Sequence, residues 1–187
     1  VKARIKFAGK GNGQRGFTLV EMLIATVIVI VGLVAVAQLV PTSVMLNSNN
    51  RNDGTALVFA QREMEALREQ PLNLFTFTDP VGVTCPMATT CNLGNPALPR
   101  QPVGSPLVVN PNSGALMIDF SAAKVSGYSF TYTDPNDPFR SPYDVRWAVF
   151  TVANGPLVSG RRIIVGVFRP GMQALSMPIT LDTMVEK

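Results

Sequence analysis

Histidine is absent from this 187-residue chain, and cysteine occurs only at Cys85 and Cys91. Without an imidazole there is no Ser–His or Cys–His pair to activate a nucleophile. Two thiols cannot complete a four-ligand zinc site without other donors. Charge is sparse as well, at 15% of residues. The formal net charge of +4 is concentrated at the start, where Lys2, Arg4, Lys6, Lys10 and Arg15 stand with no acid among residues 1–16. Removing those five charges from +4 leaves about −1 on the rest, scattered along the chain. A nucleic-acid binder needs a basic face in its folded part, and no direct nucleic-acid site is expected.

Motifs that would signal a cofactor or metal fail on context. Gly11, Gly13 and Gly16 satisfy G-x-G-x-x-G. A dinucleotide fingerprint also needs a preceding strand inside a strand–helix–strand unit, and here a charged tail precedes it. Gly9–Lys10 lacks the following Ser or Thr of a phosphate loop. Asp134 and Asp137 fall in "TDPNDP", a composition that makes turns. No catalytic residue, cofactor or metal is expected, and the chain reads as a non-enzyme.

What the sequence does have is one long apolar run, Phe17 to Val40, with Glu21 as its only charge. Its length exceeds the roughly 20 residues needed to span a bilayer as a helix. A carboxylate inside such a run costs about 2.5–3.5 kcal/mol on insertion scales. The basic leader before the run places its N-terminal end in the cytoplasm. Pro41 is expected to kink the helix, and the polar "NSNNRNDG" (47–54) to break it. From Thr55 a helical stripe returns at Leu57, Ala60, Met64 and Leu67, with Arg62, Glu63 and Glu69 off it, until Pro71.

Residues 71–114, rich in proline and glycine, read as a connecting region with one short strand. Strand patterns follow at 115–120, 127–133, 143–152 and 161–169, with Tyr143, Val145, Trp147 and Val149 on one face. "ANGPLVSG" between the last two suggests a hairpin. "ALSMPITL" near the end suggests an edge strand, where Pro178 is tolerable. The fold class is therefore α+β: a long N-terminal helix packed on an antiparallel sheet of four or five strands. The expected contacts are Leu57, Met64, Leu67, Val145, Trp147, Val149 and Ile164. Outside the cytoplasm Cys85 and Cys91 would close a small disulfide loop; otherwise they are two unpaired thiols.

The junction "RGFTLVEMLIA" carries the most specific signal: a basic leader ending in Gly16, then Phe17, Thr18, Leu19, Val20, Glu21 and an apolar helix. It resembles the cleavage and methylation signature of type IV prepilins and type II secretion pseudopilins. That resemblance implies cutting after Gly16 by a prepilin peptidase and N-methylation of Phe17. It also implies pairing of Glu21 with the terminal amine of a neighbouring subunit, which sets register during assembly. Gly32 and Pro41 match the family's helix-weakening residues. The implied organisation is a cleaved leader (1–16), a transmembrane and assembly half-helix (17–41), an amphipathic half-helix (42–70) and a periplasmic globular domain (71–187). The implied partners are the prepilin peptidase, other pilin or pseudopilin subunits, the inner-membrane assembly platform and inner-membrane lipid. The implied location is the bacterial inner membrane and then the pilus.

Within that family the helix "LVFAQREMEALREQ" and the strands "VRWAVFTV" and "RRIIVGV" are similar to minor pilins of the PilV kind and to related minor pseudopilins, and the short Cys85–Cys91 spacing favours a minor over a major subunit. Two other classes remain open. Ala35-Val36-Ala37 offers an ordinary signal-peptidase site that would release a secreted protein beginning at Gln38. An anchored periplasmic enzyme or binding protein would instead keep residues 1–16.

Overall fold

The computed structural model describes residues 16–87, 89–135, 137, 140–154, 157–170 and 178–186. The expected basic leader lies, apart from Gly16, outside the described residues. The chain divides into two compact units, Val1–Leu46 and Asn47–Lys187.

One helix, α1 (Leu19–Glu69), runs for 51 residues. Through the first unit it is mostly apolar, and every described side chain from Phe17 to Leu46 is exposed. The segment is long and apolar enough to cross a membrane. Its stretch of Val and Ile at 27–31 favours strand by propensity in water. In lipid a single segment must satisfy its backbone internally, which leaves the helix as the available form. The polar side chains follow the same logic. Thr26 Oγ1 donates to the Met22 carbonyl at 2.7 Å, and Thr42 Oγ1 donates to the Gln38 carbonyl at 3.2 Å.

The expected break at 47–54 does not occur; the helix continues through it. Weak helix formers are held there by tertiary contact, which outweighs a few tenths of a kcal/mol per residue of propensity. Asn49 is buried, Thr55 Oγ1 donates to the Arg51 carbonyl at 2.9 Å, and the Thr55 side chain meets the Tyr143 hydroxyl.

The second unit is built on a five-stranded antiparallel sheet. Its strands are β3 (Pro102–Gly104), β6 (Ser129–Thr133), β7 (Pro142–Asn154), β8 (Leu157–Phe168) and β9 (Ile179–Glu186). The order is β3-β7-β8-β9, and β6 shares the β3 edge of β7. β3 pairs with Ala148–Phe150 and β6 with Pro142–Arg146, so the two lie end to end along one neighbour. The hairpin is longer than the turn-rich sequence suggested, since β7 extends to Asn154 and β8 begins at Leu157. β9 is the edge strand, with Pro178 just before it.

The connecting region holds more structure than expected. β1 (Thr76–Phe77) pairs with β2 (Cys91–Asn92), and β4 (Leu107–Val109) pairs with β5 (Leu116–Ile118), which falls within the strand expected at 115–120. These pairs are two or three residues long, too short for a sequence alternation to register.

Helix and hairpin cover opposite faces of the sheet. On the helix side Phe59 meets Tyr132 and Tyr143 edge-on at 4.5 and 5.0 Å. Trp147 is fully buried there, and its indole N–H donates to the Asn92 carbonyl at 2.8 Å. Val145, Val149, Ile163, Val165 and Val167 complete this core with Ala60, Met64 and Leu67. Ile164, expected in this core, instead faces the other way with Ala148 and Ile118, beneath the β4–β5 hairpin. Strand alternation dictates this once Ile163 and Val165 point to the helix. Gly166 permits the close approach: a Cβ there would lie 2.7 Å from Ile118 Cγ1.

The helical stripe holds at Ala60, Met64 and Leu67 and is wider than expected. Ala56, Phe59, Ala60, Glu63, Met64 and Leu67 are buried, while Leu57 is 37% exposed. A face that covers a sheet is wider than a single line of apolar residues. Glu63, four residues from both Phe59 and Leu67, falls at its centre and is buried, against the expectation that it lay off the stripe.

Candidate functional site

The start of α1 gathers the residues singled out by the N-terminal signature. Gly16 is exposed and a Cβ there would meet nothing within 4 Å. Phe17 is 81% exposed and precedes the helix. Thr18 stops the helix from unwinding at this end: its Oγ1 accepts the Glu21 N–H at 3.2 Å, and its carbonyl accepts the Met22 N–H at 3.1 Å. Thr18-Leu19-Val20-Glu21 is thus a T-x-x-E capping sequence, with Thr18 at the N-cap and Glu21 at the third helical position. Phe17 and Met22 take the flanking positions of a hydrophobic staple, although both stay exposed.

Glu21 therefore has a local reason to sit where it does, besides any partner outside the chain. An acid in the first turn faces the positive end of the helix dipole, an interaction worth about 0.3–1 kcal/mol. Among the described residues its carboxylate has no partner. Thr18 is the residue that motif reading passed over, and the T-x-x-E spacing would have found it.

The arrangement offers a peptidase an accessible Gly16–Phe17 bond just ahead of a capped helix. A cut there would leave an ammonium on Phe17, one helical turn before the Glu21 carboxylate. Beyond it the helix presents mostly apolar side chains up to Leu46, with no other charge after Glu21 until Arg51. Such a surface needs lipid or other apolar helices around it.

The comparisons with known proteins bear on this same stretch. This chain carries the prokaryotic N-terminal methylation motif, matched over residues 11–37. The match takes in Gly16, Phe17 and Glu21, and it indicates a type IV pilin-like precursor. The motif together with the apolar helix is consistent with inner-membrane anchoring. No curated protein and no solved structure matches the chain.

The globular unit holds two further polar sites, both structural in chemistry. Cys85 and Cys91 are joined by a disulfide, with Cα atoms 6.1 Å apart. The loop ahead of it is organised by Asp79. Its Oδ1 accepts the Val81 N–H at 2.8 Å, while its Oδ2 accepts the Val83 and Thr84 N–H groups at 2.7 Å and the Thr84 hydroxyl at 2.9 Å. Burial opposes the charged form, but these bonds outweigh it and hold the Asp79 carboxyl well below its ordinary range.

Glu63 is the opposite case. Among the described residues neither carboxylate oxygen has a hydrogen-bond partner. Burial pushes its pKa well above 4.5; nearby Arg62 pulls it down and Asp79 pushes it up. Arg62 is occupied elsewhere, donating to the Val83 carbonyl at 3.1 Å and lying over the Tyr132 ring at 4.5 Å. Asp134 and Asp137 sit in turns: the Asp137 N–H donates to the Asp134 carbonyl at 3.2 Å. Among the described residues no group of three His, Cys, Asp or Glu side chains could hold a metal.

Proposed function

We propose that the chain is a minor pilin, cut after Gly16 by prepilin peptidase, N-methylated on Phe17 and incorporated into a type IV pilus. The observation that carries this reading is one conjunction. A methylation motif covers a Gly-Phe junction at the mouth of a helix that is mostly apolar up to Leu46 and holds a single acid there, Glu21. The minor role is supported by the short Cys85–Cys91 loop.

Before the cut the protein waits in the inner membrane with the globular unit in the periplasm. Apolar helices already in lipid gain little from further hydrophobic burial, so packing and polar contacts must direct their association. The new Phe17 ammonium and a neighbour's Glu21 carboxylate are each costly alone in a low-dielectric core and offset one another when paired. The acid thereby gives register to stacked helices.

Mass spectrometry of the mature chain tests the reading: methylated Phe17 as first residue is expected. Gln38 as first residue would establish ordinary secretion, and retention of residues 1–16 an anchored precursor. Gly16→Val should abolish cutting, whereas Glu21→Val should permit cutting and impair incorporation. Sparse presence in purified pili is the expected sign of a minor subunit; recovery only with a secretion apparatus would reassign it to the pseudopilins.

A further inference from the structure

Glu63 is 1% exposed on the face of α1 that covers the sheet. Among the described residues its two carboxylate oxygens and the neighbouring Arg62 Nε are buried with no hydrogen-bond partner. Residues 79–84, which lead into the disulfide, lie against this turn of the helix. Arg62 Nη2 donates to the Val83 carbonyl at 3.1 Å, and the Asp79 carboxylate is near enough to oppose charge on Glu63. We propose that Glu63 is a proton-controlled latch for residues 79–84. Protonated, it lets them close on α1; ionised, it drives them off and uncovers the Cys85–Cys91 disulfide. The inference goes beyond the pilin reading and does not depend on it, because every group in it belongs to the globular unit.

The charges around Glu63 give the latch its sign. On its own helix Arg62 is the cation that acts on it, but that guanidinium is turned to the Val83 carbonyl and to the Phe59 and Tyr132 rings. The facing loop brings Asp79, a like charge. On the helix side of the sheet the titratable groups are the Tyr128, Tyr132 and Tyr143 phenols and Arg161. Arg161 gives its Nη2 to the Leu72 and Leu74 carbonyls, at 3.0 and 2.7 Å. Arg169, Asp134 and Asp137 act on Tyr143, beside Thr55 and two turns before Glu63. An ionised Glu63 is therefore left without a hydrogen-bonded partner, and a buried carboxylate in that state must find water or neutralise.

Residues 79–84 are the cheapest part of the surroundings to move. The strands facing α1 are tied by long ladders, with Ile163, Val165 and Val167 fully buried. None of residues 79–84 is buried or in a strand, and such segments open locally long before a core does. Behind them Cys85 and Cys91 are 0% and 2% exposed, so opening is what admits a reductant. The chain has no histidine to sense pH near neutrality. Asp79 is held well below its ordinary range, and Tyr128 and Tyr143 are pushed above 10.0. Glu63 supplies the titration at this contact. Closure raises its pKa above 4.5, so opening is rarest below that value and grows as pH rises towards the closed-state pKa.

The test follows the full chain in nonionic detergent across a pH series upward from 4.5. Reduction of the disulfide by a phosphine, divided at each pH by its rate on oxidised glutathione, reads the opening. The ¹³C shift of the Glu63 carboxyl reads its protonation, and amide exchange at Val165 reads opening of the whole unit. In wild type the relative reduction rate should climb by up to about tenfold per pH unit and level off once Glu63 is ionised. Glu63→Gln and Glu63→Leu, which cannot ionise, should each give a rate independent of pH. Arg62→Gln, which removes the tie to Val83, should speed reduction at every pH and keep the climb. A flat wild-type profile would overturn the latch, as would a climb that persists in Glu63→Gln or Glu63→Leu. Opening at Val165 with the same pH dependence would overturn it too, since the whole unit would then be yielding. An unaltered rate in Arg62→Gln would sever residues 79–84 from this turn and refute the geometry.

Discussion

The two parts of α1, before and after Leu46, are the same secondary structure reached by different means. Residues 19–46 have no side chain covered by the chain itself, and residues 56–67 bury six positions against a sheet. The first is long and apolar enough to cross a membrane, a setting in which a single segment must satisfy its own backbone. The second is helical because its buried face packs on the sheet, and the helix reaches it through the Asn, Asp and Gly of residues 47–54. A helix is thus a poor guide to what sustains it, and the same substitution should have opposite consequences in the two halves.

The sharpest way to break the comparison is to cut large side chains from each region. Leu67→Ala, at a fully buried position of the second part, should destabilise the globular unit by about 2–5 kcal/mol, seen as loss of its cooperative thermal transition. Leu33→Ala, at an exposed position, should leave that transition in place. Equal loss from both would mean that the units do not depend on separate packing.

Glu63 tests whether the second half tolerates charge. Its folded pKa lies above its unfolded value, so stability is fully present below 4.5 and declines as pH rises from there towards the folded pKa. Glu63→Gln should therefore melt higher than wild type at pH 7 and converge with it as pH falls to 4.5. A variant less stable than wild type at pH 7 would show the carboxylate to be paired.

Asp79 has the reverse sign. Its folded pKa is depressed, so its contribution is present above 3.8 and disappears as pH falls through the folded value. Asp79→Asn should lower the melting temperature at pH 7, with the difference from wild type vanishing in strong acid. The change should be confined to the loop before the disulfide, visible as faster amide exchange at Val81, Val83 and Thr84.

The smallest expected effect belongs to the membrane half. Thr18→Ala should cost about 1 kcal/mol of local helix stability, read as faster amide exchange at Glu21 with the globular transition unchanged. An unchanged exchange rate would show that Glu21 or lipid holds the helix start without the cap.

Much of the fold was legible in advance, and the misses share a cause. Tyr143, Val145, Trp147 and Val149 alternate over a long strand, so their common face was plain. β1, β2, β3 and β4 are too short to alternate at all. Ala60, Met64 and Leu67 were legible as the buried stripe, while Leu57 lies at its margin and Ala56, Phe59 and Glu63 widen it, because periodicity gives the spacing of a face but not its width. Ile164 was assigned to the wrong side of the sheet by hydrophobicity alone, where strand parity with Ile163 settles it.

The methylation signature, the single acid in an apolar run and the alternation of β7 and β8 are local patterns, and the amino-acid sequence by itself determined them. Each depends on the order of neighbours along the chain. The burial of Glu63 and the helix through residues 47–54 depend on residues far apart in that order. Only the tertiary structure decided them, because which polar group loses its water is settled by what lands on top of it.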